Sequence, residues 1–202
     1  MLEDMQIDLL ERHKGLKDTL GIICFVIAVI VGAWLINLLL FRSFSVSGPS
    51  MEPTLYTGDR LIVNRVSVTW SHLRGQAYVP SRGQVIVFKN PLFSQSMQDE
   101  YIVKRVIGLP GERVTVKNGV MTVYNAQHPG GFEPDKLTVG PTSPTDGSVD
   151  KTVPEGALFV SGDHRQEGYS FDSRNGLGVI PFEDIIGPVA LRIYPFTGIR
   201  TF

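Results

Sequence analysis

The sequence predicts a mainly β protein, in which an N-terminal transmembrane helix precedes a largely antiparallel β domain with a smaller β insertion. Three observations predict this fold. One uncharged apolar run extends from Leu20 to Phe41. Beyond residue 43 the apolar residues fall in short alternating runs, and helical periodicity of any length is missing. The 202 residues, with 21 Gly and 13 Pro, suit one domain with many turns plus an anchor.

The apolar run is long enough to cross a membrane. A helix rises 1.5 Å per residue, so about 20 residues cross a hydrocarbon core of about 30 Å. We therefore predict a transmembrane helix over residues 20–41. The alternative is a cleaved secretory signal, whose apolar region usually spans about 7 to 15 residues and ends in a small-x-small site. Here the run is longer and is followed by Phe41-Arg42-Ser43-Phe44.

Basic residues give the helix an orientation. Arg12, Lys14 and Lys17 precede the run closely, whereas only Arg42 follows it closely. Because lysine and arginine accumulate on the cytoplasmic side, residues 1–19 are expected in the cytoplasm, as a short interfacial helix or a disordered segment. The protein is then a single-pass plasma-membrane protein with its large C-terminal part outside.

That outer domain occupies residues 42–202. Asn118-Gly119 lies between two alternating runs and accepts the positive φ angles of a tight hairpin turn. Residues 125–152 are rich in Gly, Pro, Thr and Asp, so they form an irregular part of an insertion at about 112–155. Strands are predicted at 61–64, 85–88, 102–107, 114–116, 120–124, 157–161 and 189–193.

Composition excludes several classes of function. A net charge of -1 gives no concentrated basic face for nucleic acid. The single cysteine, Cys24, lies inside the apolar run, so the outer domain has no thiol nucleophile and cysteine transpeptidases are excluded. The sequence has no His-Glu-x-x-His, no paired cysteine spacing and no phosphate-binding glycine loop, so we expect no metal and no cofactor.

Ser50 is a candidate nucleophile, in a turn just past the apolar run. A serine hydroxyl needs a base, usually histidine. His13 is on the cytoplasmic side under the predicted topology, and His72 and His128 lie in polar segments. His164 directly follows Asp163, and because adjacent side chains point apart, Asp163 cannot orient the His164 ring. A histidine triad is therefore weakly supported. Ser50 is equally compatible with an ordinary structural turn.

Lys104 is the candidate base. In a strand it shares a face with Ile102 and Val106, while Arg105 points the other way. Apolar neighbours favour a neutral amine, and a lysine can act as a base if its pKa falls from about 10.4 to about 7 or 8. The alternative is a sheet-edge lysine with its stem covered and its ammonium group in water.

Four segments, in this order after the apolar run, carry a resemblance to a known family: residues 47–55, Gly58-Asp59, residues 101–111, and Gly162-Asp163-His164-Arg165 with residues 170–174. The chain resembles type I signal peptidases in their single-span, Gram-positive form. Members of that family are membrane-bound endopeptidases that remove signal peptides with a serine/lysine dyad. The resemblance spans most of the chain.

The resemblance implies roles for individual residues. Ser50 attacks the scissile carbonyl, and Lys104 accepts its proton and returns it to the departing amine. Further positions that the resemblance implies are Ser170, whose hydroxyl orients the lysine amine, and the supporting residues Asp163, Asp172 and Arg174. A salt bridge between Asp172 and Arg174 that merely fixes a turn is compatible with this role.

The oxyanion hole differs from that of some relatives. Position 48, where those relatives have serine, is Gly48, so no side-chain hydroxyl contributes and the Ser50 N–H is one donor. One donor is worth about 2.7 to 4 kcal/mol in other enzymes, so a second donor or a water is expected near Gly48. His164 stands where the family usually has asparagine, and the turn between Arg165 and Ser170 is longer.

The resemblance also implies an extended substrate with small side chains at the first and third positions before the cut. Edge pairing to residues 44–48 would hold it. Partners would be signal peptides of exported preproteins, membrane lipid and the secretion translocon. A non-catalytic tethered module and a protease for a narrow set of surface proteins remain alternatives. The implied pocket residues, which plain core packing explains equally, are Phe44, Val46, Leu55, Leu61, Tyr101 and Val103.

Overall fold

The computed structural model describes the backbone of residues 2–94, 99–141 and 144–202. The chain divides into two compact units, Met1–Leu40 and Phe41–Phe202. The side chains of residues 1–17 and 37–39 lie outside the described part. They include those of Arg12, Lys14 and Lys17, from which the orientation of the membrane span was predicted. The second unit consists mainly of antiparallel strands, so the predicted mainly β fold class is confirmed.

Helix α1 spans Leu2–Leu39. Its segment Asp18–Ile36 is long and apolar enough to cross a membrane, judged by length and composition. The predicted limits of 20–41 differ from the helix at both ends. The helix begins within the first residues, and Phe41 already belongs to strand β1, because residues 41–45 pair with a second strand.

The second unit contains one large and one small sheet. The large sheet has eight strands in the order β1-β2-β10-β3-β4-β8-β9, with β11 paired to β10, and all recorded pairings are antiparallel. The strands are β1 Phe41–Ser45, β2 Arg60–Asn64, β3 Val85–Lys89, β4 Tyr101–Gly108, β5 Arg113–Lys117, β6 Val120–Tyr124, β7 Val149–Thr152, β8 Ala157–Ser161, β9 Ile180–Pro181, β10 Ile185–Tyr194 and β11 Arg200–Thr201.

The small sheet has the strand order β6-β5-β7. Asn118 and Gly119 connect β5 to β6 with φ angles of 52° and 80°, and Lys117 pairs with Val120, so the predicted two-residue hairpin is confirmed. The segment predicted to be irregular contains strand β7 and a 3₁₀ turn at Pro134–Leu137. Short polar strands of this kind lack the alternation that reveals a strand in sequence.

One short helix lies in the outer domain, where the sequence showed no helical periodicity. Helix α2 spans Val66–Leu73, and Val68 is its one buried residue. A helix of two turns with a single buried residue has no apolar stripe for a periodicity argument to detect.

The large sheet leaves two strand edges open beside each other. Strand β1 is an edge strand that pairs with β2 on one side. Strand β4 pairs with β3 along Tyr101–Arg105, whereas its pairing with β8 begins at Arg105. Within residues 2–94, 99–141 and 144–202, the first half of β4 therefore has one free edge. Both free edges border the same cavity of about 380 Å³.

Candidate active site

Ser50 and Lys104 meet at this cavity. Ser50 lies in the turn that follows β1, and Lys104 lies in the middle of β4. Lys104 Nζ is 2.7 Å from Ser50 Oγ and 3.0 Å from the carbonyl oxygen of Val103. The lysine is only 4% exposed. A nucleophile and a base within hydrogen-bond reach constitute the geometric requirement for base-activated serine chemistry.

Burial changes the protonation of this lysine. Desolvation lowers the pKa of Lys104 from 10.5 to about 8, although the negative charges of Asp172 and Asp163 oppose the change. A neutral amine is thus accessible at mildly alkaline pH, whereas an exposed lysine stays charged there. Lys104 can therefore accept a proton from the Ser50 hydroxyl.

Asp172 organises the segments behind the dyad. Its Oδ2 accepts hydrogen bonds from Ser170 Oγ at 2.7 Å, from the Gly162 N–H at 2.9 Å and from Arg174 Nη2 at 2.9 Å. Burial by itself would raise the pKa of Asp172, but the bonds from Arg174, Gly162 and Ser170 outweigh it and hold this pKa below its ordinary value. Asp172 is consequently a buried anion over the whole neutral range.

Ser170 takes a different partner from the one that the resemblance implies. Its hydroxyl donates to Asp172, and the hydrogen bonds of Lys104 Nζ within the described chain go to Ser50 and Val103. Ser170 and Ser50 nevertheless flank the same glycine. A β-carbon at Gly162 would lie 2.3 Å from Ser170 Oγ and 2.3 Å from the Ser50 carbonyl oxygen.

Asp163 belongs to a buried group that the sequence did not reveal. Arg105 donates from Nε to Asp163 Oδ1 at 2.7 Å, and Thr54 donates to Asp163 Oδ2 at 2.5 Å. All three residues are buried. Because Thr54 closes the turn that contains Ser50, while Arg105 follows Lys104 in β4, this group connects the two halves of the dyad. Removing one partner of such a pair leaves a buried charge uncompensated.

The nucleophile turn has an unused donor. Gly48 has a φ of +85°, which favours glycine, and no side chain extends from it. The N–H of Ser50 has no acceptor within the described chain, whereas the Ser50 carbonyl oxygen accepts from His164 N at 3.1 Å. The Ser50 N–H is therefore able to donate to a ligand, and its role as an oxyanion donor stays a prediction.

The cavity is lined by five of the six predicted pocket residues, Phe44, Val46, Leu61, Tyr101 and Val103. The sixth, Leu55, is 0% exposed and packs in the apolar cluster that contains Val46 and Leu61. Leu55 thus contributes to the core behind the cavity rather than to its lining. Alternation along β1 and β4 identifies residues on one face, but cannot distinguish the lining from the layer behind it.

The cavity also has lining residues that sequence reasoning missed: Asn90, Asp99, Tyr169 and Phe171. Tyr169 and Phe171 flank Ser170 in a turn and an irregular segment between β8 and β9, so no strand alternation in the sequence could have placed their rings in the cavity. Among the described residues, no group of three or more His, Cys, Asp or Glu is placed to hold a metal ion.

Comparison with known proteins identifies the family. The family model for signal peptidase, peptidase S26, matches residues 18–194. Signal peptidase I of Bacillus amyloliquefaciens is 34% identical over 87% of this chain and 88% of its own. In Bacillus subtilis (strain 168), signal peptidase I U is 32% identical over 95% of both chains, and signal peptidase I T is 35% identical over 87% of this chain and 84% of its own. The resemblance seen in the sequence is confirmed, and the chain belongs to the signal peptidase family of serine endopeptidases, peptidase S26.

Proposed function

We propose that this protein is a single-pass membrane endopeptidase that removes signal peptides from exported preproteins, with Ser50 as nucleophile and Lys104 as general base. The carrying observation is the 2.7 Å contact between Lys104 Nζ and Ser50 Oγ, made by a lysine that is 4% exposed. Burying an amine costs free energy, and a turn that needed only a structural serine would not require a buried lysine beside it.

The reaction begins when neutral Lys104 accepts the Ser50 proton as Oγ attacks the scissile carbonyl carbon. The tetrahedral oxyanion receives a hydrogen bond from the Ser50 N–H. Lys104 then returns the proton to the departing amine, the carbon–nitrogen bond breaks, and an acyl-enzyme forms. Lys104 then takes a proton from a water molecule whose oxygen attacks the acyl carbon. The ester bond to Ser50 Oγ breaks as Lys104 passes that proton to Oγ, which regenerates the Ser50 hydroxyl and releases the signal peptide with a new C-terminal carboxyl group.

The surrounding residues keep the dyad in this geometry. Asp172, held by Arg174 and Ser170, fixes the backbone at Gly162, which contacts the Ser50 carbonyl oxygen. Asp163 holds the nucleophile turn through Thr54. These residues act through others, so we assign them positioning roles.

The substrate adds as an extended strand between the two open edges. Main-chain hydrogen bonds to β1 and to the first half of β4 hold it without reading its sequence, which suits an enzyme with many clients. Side chains before the cut would face the shallow apolar lining formed by Phe44, Val46, Leu61, Tyr101 and Val103. Small side chains before the cut would fit against this shallow lining.

The anchor positions the enzyme at its substrate. Segment Asp18–Ile36 of α1 would cross the plasma membrane, with the N-terminus in the cytoplasm and the catalytic unit outside. Membrane lipid and the secretion translocon would then be partners of the anchored enzyme, and the translocon would deliver the signal peptides that it cuts.

The direct test is cleavage of an exported precursor by the full-length protein purified in detergent. We expect one cut, after a small residue, and resistance of a matched precursor with a large residue immediately before the cut. Mass spectrometry identifies the new N-terminus. A precursor left intact at substrate and enzyme concentrations that suffice for a known signal peptidase would contradict the proposal.

Gly162→Ala should reduce kcat/KM by about 100-fold, the expected result of displacing a reacting group by about 1 Å. The added methyl group would be 2.3 Å from Ser170 Oγ and from the Ser50 carbonyl oxygen, so the nucleophile turn must shift. Gly130→Ala is the matched control, because nothing lies within 4 Å of a β-carbon there. Equal activity of the two variants in precursor cleavage would contradict the positioning role of Gly162.

A further inference from the structure

Two aromatic rings line the active-site cavity without belonging to the core. Tyr169 is 49% exposed and Phe171 is 42% exposed, and both border the cavity that contains Ser50 and Lys104. Folding leaves about half of the surface of these two side chains unburied. This surface is therefore available to bury a ligand side chain.

The segment that carries the rings is attached to the nucleophile turn. The His164 N–H donates to the Ser50 carbonyl oxygen at 3.1 Å, and His164 Nδ1 is 3.3 Å from the Pro49 carbonyl oxygen. The His164 ring stacks on Tyr169 with centroids 4.0 Å apart and an interplanar angle of 11°. Tyr169 is thus fixed beside Ser50 through His164.

Hydrogen bonds fix Ser170, the residue that lies between the two aromatic residues in the chain. Ser170 donates to Asp172, and its carbonyl oxygen accepts a hydrogen bond from Asn175 Nδ2 at 2.5 Å. The Phe171 ring packs against Gly176, where an added β-carbon would be 3.2 Å from the ring. Rings that are already ordered lose little conformational entropy when a ligand binds.

The direction of the substrate decides what these rings would contact. Under the proposed function, the residues before the cut follow β1 from Phe44 toward Ser50, where the scissile carbonyl lies. The residues after the cut must continue past Ser50. The segment with Tyr169 and Phe171 lines the cavity and is connected to the Ser50 turn through His164, so it can contact these residues.

We propose that Tyr169 and Phe171 form a binding site for a large apolar or aromatic side chain in the first residues after the cut, that is, in the mature protein. The site rests on the proposed function and adds a selectivity that the small residues before the cut do not explain. Its chemistry follows from two aromatic faces in a partly desolvated cleft. A ring-on-ring contact of this kind changes an equilibrium or rate by about two- to tenfold.

The experiment compares two peptide substrates that are identical except for phenylalanine or alanine immediately after the cut. The measured quantity is the ratio of their kcat/KM values with the full-length enzyme. We expect the enzyme to prefer the phenylalanine peptide, and Tyr169→Ala to reduce that preference by about three- to tenfold, a ratio in which any loss common to both peptides cancels. Tyr169→Phe should retain the preference because it keeps the ring.

Tyr194→Ala is the matched control, because Tyr194 is 47% exposed and contacts the ring of Phe196, but does not line the cavity. It should retain the preference. An enzyme without any preference, or a ratio that Tyr169→Ala leaves unchanged because both peptides lose activity equally or not at all, would overturn the site. The first two outcomes leave the proposed function intact as long as the alanine peptide is cut, whereas failure of the wild-type enzyme to cut either peptide contradicts the proposed function itself.

Discussion

Ser50→Ala should abolish precursor cleavage, with a loss in kcat of about 10⁴-fold or more. The substitution removes one oxygen atom from a turn residue whose neighbours stay in place. Lys104 then has no hydroxyl to deprotonate, and no acyl-enzyme can form. The measurement is the rate of precursor cleavage by purified full-length protein, together with the melting temperature of each variant.

The matched control is Ser67→Ala, since Ser67 is an exposed serine in helix α2, away from the cavity. It should cleave at the wild-type rate. A serine-directed acylating probe should label the wild-type protein and not Ser50→Ala. Cleavage by Ser50→Ala at the wild-type rate would eliminate Ser50 as the nucleophile, whereas absence of cleavage and of labelling in the wild-type protein would favour the tethered, non-catalytic module.

The strands could be predicted because most of them bury one or both faces. Runs such as Val85–Lys89 and Ala157–Ser161 are almost entirely buried and rich in valine, leucine and phenylalanine, and both were found in the sequence. The Asn-Gly hairpin could also be predicted, because these two residues accept the positive φ angles that a tight hairpin turn requires. Strand β7 was missed because its residues Lys151 and Thr152 are exposed and carry no apolar pattern.

Only part of the candidate active site could be predicted from the sequence. The sequence placed Lys104 among apolar residues, and burial of the amine follows from that face of β4. The two partners of Asp163 could not be predicted from the sequence. Arg105 and Thr54 are far from Asp163 along the chain, and the order of the strands in the sheet brings them together. The resemblance suggested that Ser170 contacts the lysine. The structure directs its hydroxyl to Asp172, a choice that depends on side-chain rotation.

Activity should rise as the pH passes through about 8. Only the neutral form of Lys104 accepts the Ser50 proton, and burial lowers its pKa to about 8. The neutral fraction would grow from about one tenth at pH 7 to about nine tenths at pH 9, so kcat/KM should increase about tenfold across that interval. A profile of precursor cleavage against pH, at constant ionic strength, measures it. A flat profile from pH 7 to pH 9 would contradict a lysine base.

Lys104→Arg should be inactive throughout that range. A guanidinium group keeps its proton to above pH 12, so it cannot act as a base, although it is a similarly long cation. We expect a loss of about 10⁴-fold or more in kcat, as for Ser50→Ala, because the two residues act as one unit. Precursor cleavage at pH 9 is the decisive measurement, since wild-type activity is then near its maximum. Substantial activity in Lys104→Arg would refute the proton transfer.

Lys104→Met separates lost chemistry from lost structure. The folded pKa of Lys104 is lowered, so between about pH 8 and 10.5 the unfolded chain binds more protons than the folded one, and the free energy of unfolding rises with pH in that window. Below pH 8 the penalty is complete, on the order of 3 kcal/mol. Methionine fills a similar volume without a charge and removes this penalty. We therefore expect Lys104→Met to be inactive and yet to melt at a higher temperature than the wild type at pH 7, with the difference shrinking toward pH 10. A lower melting temperature at pH 7 would mean that the amine stabilises the fold, and the loss of activity could not then be assigned to the missing base.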